Sequence, residues 1–110
     1  MKVWLEFAKS FTESREVDVD FPLYLHMSYV GEYDGSNTYM RIEQSGKIVS
    51  YTSRFGDHAG LARLEAEVKT IDLRTELPYY LGKDFDRSTA IAYADAKSAF
   101  LDAIRLEPAA

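Results

Sequence analysis

Residues 38–52, TYMRIEQSGKIVSYT, restrict the fold of this chain more than any other stretch. Two runs in which apolar and polar side chains alternate flank the dipeptide Ser45-Gly46. Because glycine tolerates the positive φ of a tight turn, this pattern is typical of a β-hairpin with a two-residue loop. Side chains alternate between the two faces of a strand, so one face of the hairpin is predicted to be buried. That face carries Met40, Ile42, Val49 and Tyr51, with Ile42 opposite Val49 and Met40 opposite Tyr51.

A second turn dipeptide, Asp34-Gly35, predicts another hairpin upstream. A tight turn at that point places Tyr29 opposite Met40, on the face already assigned to the core. A register slip of one residue would turn the apolar set toward water, so the agreement between the two turns supports the register. We therefore predict a three-stranded antiparallel meander over residues 23–52.

The opposite face of the meander carries a mixed polar and aromatic strip. The same register places His26 opposite Glu43 and Ser28 opposite Arg41. One interpretation is an ordinary solvated face, on which each cross-strand charge pair contributes about 0.2–1 kcal/mol. The other is a binding surface, because tyrosine and arginine are enriched at protein interfaces. The candidate protein-binding residues of this strip are Tyr24, His26, Tyr39, Arg41 and Glu43.

Two strands are predicted before the meander, over residues 2–8 and 16–21, with a polar connection between them. In the second of these, Val17 and its apolar neighbours alternate with an acidic edge. Asp18 and Asp20 lie on that edge and complete the candidate protein-binding set. No metal site is expected there, because calcium needs six to eight oxygen ligands and a straight strand does not wrap a cation.

Composition excludes several classes of function. The formal net charge is −5, and no basic cluster is present to neutralise the phosphates of a nucleic acid. An acidic surface instead attracts a basic protein partner. Cysteine is absent, which excludes disulfides and thiolate metal sites and fits a cytoplasmic location. No run approaches the ~20 apolar residues of a membrane span, and the N-terminal stretch does not resemble a signal peptide.

The second half of the chain is predicted to be mainly helical. Residues 61–73 favour a helix by composition and spacing, although a strand competes because apolar and charged side chains also alternate there. Residues 74–85 contain Pro78 and Gly82 and are predicted to form a loop. A long helix is predicted over residues 87–106, capped by Asp86 or Ser88. Its sheet-facing stripe consists of Tyr93, Ala96, Phe100, Ala103 and Ile104. The expected architecture is therefore α+β, with an antiparallel sheet of four or five strands packed on one face by the C-terminal helix and a second helix.

Motifs for chemistry are few. There is no glycine-rich phosphate loop and no histidine pair at zinc-binding spacing, so no cofactor or metal is expected. Two histidines are the candidate acid–base groups: His26, across from Glu43 in the predicted register, and His58, beside Asp57. Asp57 is also a good N-cap for a following helix, which is the simpler interpretation of that pair.

These observations predict a non-catalytic domain that binds and neutralises another protein, in the manner of bacterial immunity proteins and antitoxins. Small size, acidity and a tyrosine-bearing strip favour this hypothesis, with a basic partner. One alternative is a small enzyme or ligand-binding domain that uses His26 or His58, which requires a pocket around one of them. Another is a self-associating accessory subunit with the aromatic segment 79–85 as its contact, which requires a homo-oligomer.

Overall fold

A computed structural model describes residues 1–8, 12–32, 34–56 and 62–106 of the chain. Within these ranges the strands are β1 (Lys2–Ala8), β2 (Thr12–Asp18), β3 (Leu23–Val30), β4 (Asp34–Ile42), β5 (Lys47–Gly56), β6 (Ala62–Thr70) and β7 (Asp86–Arg87). The helices are α1 (Leu73–Tyr80) and α2 (Ala90–Leu106). One antiparallel sheet has the order β6-β5-β4-β3-β7, and β1 and β2 form a separate two-stranded sheet. The predicted α+β architecture is confirmed.

The predicted meander is confirmed, but its two registers are not. Tyr29 of β3 pairs with Ser36 instead of Met40, a shift of four residues, because β3 ends at Val30 and β4 already begins at Asp34, so Gly35 lies inside β4. A methyl group at Gly35 would lie 2.6 Å from the Phe55 ring, so this glycine permits the ring to pack over the strand. Since the shift is even, the two faces of β3 and β4 are assigned correctly.

The loop between β4 and β5 is one residue longer than the predicted two-residue turn. Gly46 donates to Glu43 O (2.9 Å), and the Glu43 N–H donates to Lys47 O (2.9 Å), so three residues lie between this pair. Gly46 adopts a φ of 91°, the left-handed conformation found at the end of three-residue hairpin loops. Ile42 therefore pairs with Ile48 instead of Val49. Because this shift is odd, Val49 and Tyr51 lie on the face opposite to the one predicted.

The five-stranded sheet has two chemically different faces, which we name face A and face B. The rows of face A, from β3 to β6, are Leu23–Ile42–Ile48–Lys69, Leu25–Met40–Ser50–Glu67, Met27–Thr38–Thr52–Glu65 and Tyr29–Ser36–Arg54–Arg63. The rows of face B are Tyr24–Arg41–Val49–Val68, His26–Tyr39–Tyr51–Ala66 and Ser28–Asn37–Ser53–Leu64.

The hydrophobic core lies at one end of face A. The β1–β2 sheet and α1 cover that end and bury the first two rows of β3 and β4 side chains. The core residues are Leu5, Val19, Leu23, Leu25, Met40, Ile42, Ile48, Ile71, Leu77 and Tyr80. Tyr29, predicted to be a core residue, is 55% exposed because its row lies beyond this cover.

Residues 62–70 form strand β6, so the predicted helix over 61–73 is wrong for the described residues. Its charged side chains all lie on face A, and Leu64, Ala66 and Val68 all lie on face B. Of the two patterns in this segment, the structure follows the strand alternation and not the helical spacing. The reason is that β5 has an open edge that satisfies the backbone hydrogen bonds of β6 along its whole length.

Helix α1 occupies much of the segment predicted to be a loop. Its N-cap is Asp72, whose Oδ1 accepts from the Arg74 N–H (3.2 Å) and whose own N–H donates to Glu76 (2.6 Å). Pro78 lies in the last turn and removes one backbone N–H from the helix, while the fully buried Leu77 anchors that turn in the core.

Helix α2 is confirmed, with two differences. Thr89, instead of Asp86 or Ser88, caps it: Thr89 Oγ1 accepts from the Ala92 N–H (3.1 Å), and Asp86 belongs to β7. The helix packs on face B, the face predicted to be solvated, because Tyr24 and Tyr51 there receive the ring of Tyr93 at 5.6 Å each.

The second predicted strand begins earlier than expected. Strand β2 covers residues 12–18 instead of 16–21, because β1 pairs with it from Lys2 opposite Asp18 to Ala8 opposite Thr12. Pairing along the full length of β1 supplies backbone partners to a polar segment that has no apolar alternation of its own.

Candidate functional site

A groove occupies the part of face A that the core does not cover. It has a volume of about 580 Å³ and lies between β6 and the aromatic side chains of α1 and the turn after it. This volume is within the range of about 300–1,000 Å³ found for small-molecule sites. Its floor is formed mainly by Met27, Thr38, Ser50, Thr52 and Met40.

The floor of the groove changes in polarity from β3 to β6. The β3 side chains on face A are apolar or aromatic, those of β4 and β5 include hydroxyls, and those of β6 are all charged. At the centre, the hydroxyls of Thr38 and Thr52 are hydrogen-bonded to each other (2.9 Å). The groove can therefore accept a segment that is apolar on one side and charged on the other.

Glu65 joins two arginines at the β6 side of the groove. Its Oε2 accepts from Arg54 Nε (2.9 Å), and its Oε1 lies 3.2 Å from Arg63 Nε. The hydrogen bond from Arg54 lowers the pKa of the Glu65 carboxyl below its usual value, and the charges of both arginines act in the same direction. This carboxylate is therefore held in its charged form.

Lys69 links the charged strand to the aromatic wall. Its Nζ lies 3.6 Å from Glu67 Oε1 and 5.4 Å from the centre of the Tyr80 ring. The hydrogen bond with Tyr80 raises the pKa of Lys69, and the Glu67 charge adds to the effect. Tyr80 in turn packs against Tyr79 and Phe85, with ring centres 5.1 and 5.2 Å away. Tyr79 is 65% exposed and presents its ring at the rim.

The strip predicted as a binding surface lies on face B, partly beneath α2. Tyr24 contacts the buried ring of Tyr93, and burial raises the pKa of Tyr93 to about 12. Arg41 donates to Glu43, which raises the pKa of Arg41. Among the described residues, the buried Arg41 Nε has no hydrogen-bond partner. Tyr24, Arg41 and Glu43 are half-buried, so they are not an open surface.

The predicted register placed His26 opposite Glu43, but the structure does not bring these two residues together. His26 pairs with Tyr39 of β4 and stacks on that ring at 4.5 Å, and its Nε2 lies 3.1 Å from Asn37 Oδ1. On its other side His26 pairs with Asp86 of β7. Neither the groove nor the smaller cavity beneath α2 is lined by His26. The other candidate, His58, lies outside the described residues.

Asp18 and Asp20 are exposed, as expected for an acidic edge. Asp18 Oδ1 lies 3.1 Å from the amino group of Met1, and Asp20 Oδ1 lies 3.8 Å from it. They lie at the end of β2, away from the strip with which they were grouped. The structure thus separates the predicted binding residues into a half-buried set and an exposed acidic pair.

The groove residues were not identified from the sequence. Their charged members Arg63, Glu65, Glu67 and Lys69 lie in the segment predicted to be a helix, and the alternation of charged with apolar residues was the available signal. Among the described side chains, no group of three or more potential metal ligands is present. Neither described helix is long and apolar enough to cross a membrane.

Comparison of the chain with models of protein families, with curated proteins and with solved structures found no match.

Proposed function

We propose that the protein is a non-catalytic binding domain that neutralises another protein, in the manner of immunity proteins and antitoxins. The observation that carries this proposal is the groove on face A, in which Glu65 and Lys69 are held in their ionised forms. A general acid or base needs a pKa near the working pH. The pKa of Glu65 is lowered and that of Lys69 is raised, so both shifts lead away from proton transfer and suit recognition.

The rim of the groove has the features of a protein-binding surface. Tyr79 offers an exposed ring supported by two neighbouring rings, which is a rigid contact of the kind that dominates interfaces. The Glu67 side chain is 65% exposed on the opposite side of the groove. A partner segment can therefore contact an aromatic anchor on one side and a carboxylate on the other.

Charge supports a basic partner. The net charge of −5 attracts a cationic protein over distances of about a Debye length. The exposed carboxylates of Asp18 and Asp20 remain available to such a partner outside the groove. The proposal also places the protein in the cytoplasm, where a chain without cysteine needs no oxidising environment.

The test begins with the tagged protein as bait in lysate of its own source, with the captured proteins identified by mass spectrometry. We expect one stoichiometric basic partner whose activity falls when it is bound. Glu67→Lys and Tyr79→Ala should each weaken the complex. Asp95→Lys, on the exposed side of α2, is the matched control because it changes the net charge by the same amount as Glu67→Lys.

The outcomes are distinct. Loss of the partner with Glu67→Lys but not with Asp95→Lys supports the groove. Equal loss with both variants shows that only overall charge matters and refutes the groove as the site. If a paired Asp18→Asn and Asp20→Asn variant alone abolishes binding, the site is the acidic edge. The absence of any stoichiometric partner refutes the proposed function.

A further inference from the structure

The apolar stripe of α2 is longer than the sheet that it covers. Tyr93 and Phe100 lie on the sheet-facing side, each with its ring centre 5.6 Å from that of Tyr51. Ile104 follows Phe100 by four residues and so lies on the same side of the helix. It is nevertheless 54% exposed, and Leu101 beside it is 37% exposed. Among the described residues, no strand therefore lies beneath the last turns of the stripe.

The direction of α2 shows that its last turns extend past the outer strand β6. The Ser88 N–H, just before the helix, donates to Tyr24 O of β3 (2.9 Å). Phe100 shares a cavity of about 150 Å³ with Leu64 of β6. The helix thus crosses face B from β3 to the outer strand β6. Residues 101–106 extend about 9 Å further at ~1.5 Å per residue, or about two strand spacings.

Of the strands that the structure describes, β6 is the outermost beneath this overhang. The Ile71 N–H donates to Gly46 O (2.9 Å), so the antiparallel ladder places odd-numbered β6 residues in hydrogen-bonded pairs with β5. The N–H and C=O groups of the even-numbered residues 64–70 point outward. Val68, one of these residues, is 65% exposed on face B. An edge of this kind is a template for another strand.

We propose that this edge binds β6 of a second copy of the chain, forming an antiparallel dimer with one continuous sheet. Outward-pointing residues must pair with each other, which limits the registers. A two-fold axis at Ala66 would place Glu65 opposite Glu67 of the second copy and Arg63 opposite its Lys69, and like charges directly opposite are destabilising. A two-fold axis at Glu67 instead pairs residues 64–70 of one copy with residues 70–64 of the other. It places Glu65 of each copy opposite Lys69 of the other copy. The two Glu67 carboxylates that meet there each have Lys69 of their own chain nearby, at 3.6 Å.

The same arrangement covers the exposed apolar side chains. In this register Leu64 lies opposite Thr70 of the second copy, so the overhang of α2 lies above that end of the second β6. Leu101 and Ile104 then meet Val68 of the second copy, and the two-fold axis repeats the contact. The dimer goes beyond the proposed binding function and does not depend on it.

Sedimentation equilibrium over a range of concentrations tests the association. We expect a dimer whose dissociation constant rises at least about tenfold with Ile104→Asp. Ala66→Pro should act similarly, because it removes an outward N–H and leaves the ladder with β5 intact. Ile91→Asp is the matched control, since Ile91 is 75% exposed on the same helix but at its other end. Circular dichroism checks that each variant remains folded.

Cysteine cross-linking tests the register, since the chain has no native cysteine. Glu67→Cys should form an intermolecular disulfide on mild oxidation, because that residue faces its own copy across the axis. Arg63→Cys, on the same face of the same strand, should not form one. In this register the two Arg63 positions of the dimer are separated by eight residues along the strand, about 27 Å. A chain that remains monomeric overturns the proposal and leaves the edge for a strand of another protein. A dimer that is unaffected by Ile104→Asp and Ala66→Pro, or that cross-links through Arg63→Cys, also overturns it.

Discussion

Replacing Gly46 by alanine tests the loop that sets the register of β4 against β5. Gly46 has a φ of 91°, and a methyl group there would collide with the backbone oxygen of Ile71. The Ile71 N–H also donates to Gly46 O, so relieving the collision separates the first residues after β6 from the loop. The substitution therefore affects both the turn and the end of the β5–β6 ladder.

The expected loss of stability follows from three contributions. The left-handed conformation costs an alanine about 1–2 kcal/mol. The weakened hydrogen bond from Ile71 to Gly46 costs about 0.5–1.5 kcal/mol. Alanine also restricts the unfolded chain, which stabilises the folded state by about 0.4–1 kcal/mol and offsets part of the cost. We expect Gly46→Ala to lower the free energy of unfolding by about 0.5–3 kcal/mol.

Urea denaturation monitored by circular dichroism measures this change, and Gly56→Ala provides the control. A methyl group at Gly56 meets nothing within 4 Å, so that variant should be unchanged or slightly more stable. With a slope of about 1–3 kcal/mol per molar urea, Gly46→Ala should lower the transition midpoint by about 1 M. Equal midpoints for the two variants would refute the three-residue loop and its positive φ.

Three further predictions concern the core and the titratable groups. Leu77→Ala should lower the free energy of unfolding by about 2–5 kcal/mol because Leu77 is fully buried, whereas Ile91→Ala should change it little because Ile91 is 75% exposed, as urea denaturation will show. NMR titration should give a pKa of Glu65 below 4.5, and this pKa should rise toward 4.5 in Arg54→Gln. The contribution of ionised Glu65 to stability is present above pH 4.5 and is lost as the pH falls through the pKa of the folded state. The pKa of Tyr93 should be about 12 by ultraviolet titration of tyrosinate, and that ionisation should be missing in Tyr93→Phe. Because the folded-state value is raised, the Tyr93 contribution is complete below pH 10 and is lost between pH 10 and 12, so a flat stability profile there would contradict its burial.

Strand β5 shows why the face of a strand can be misassigned from a correct hairpin. Apolar and polar residues alternate in both runs of the hairpin, so either loop length places apolar side chains of β5 on the core face. A two-residue loop would bury Val49 and Tyr51, and a three-residue loop buries Ile48. The two-residue turn was the simpler prediction from Ser45-Gly46. The structure has one more loop residue, and this odd shift exchanged the faces of β5. The predicted register of β3 against β4 was wrong by four residues, and the faces of β3 were still assigned correctly because four is an even number.

Residues 62–70 show a second limit. Their sequence fits a helix and a strand, because apolar residues recur at both periods. The open edge of β5 decides in favour of a strand, and this edge exists only after the meander has formed. The groove could not be predicted for the same reason, since its charged side consists of β6 side chains.

The sequence alone determined the alternation of β1, β3 and β4, the two hairpins among β3, β4 and β5, the long C-terminal helix and the α+β class. These follow from backbone geometry, because the periods of two and 3.6 act over a few neighbouring residues. Only the tertiary structure decided the registers, the strand at 62–70 and the face on which α2 packs. Those depend on which distant surface is free to receive each element: α2 lies on face B because Tyr24 and Tyr51 meet there, and the groove stays open because α1 and β1 cover only one end of face A.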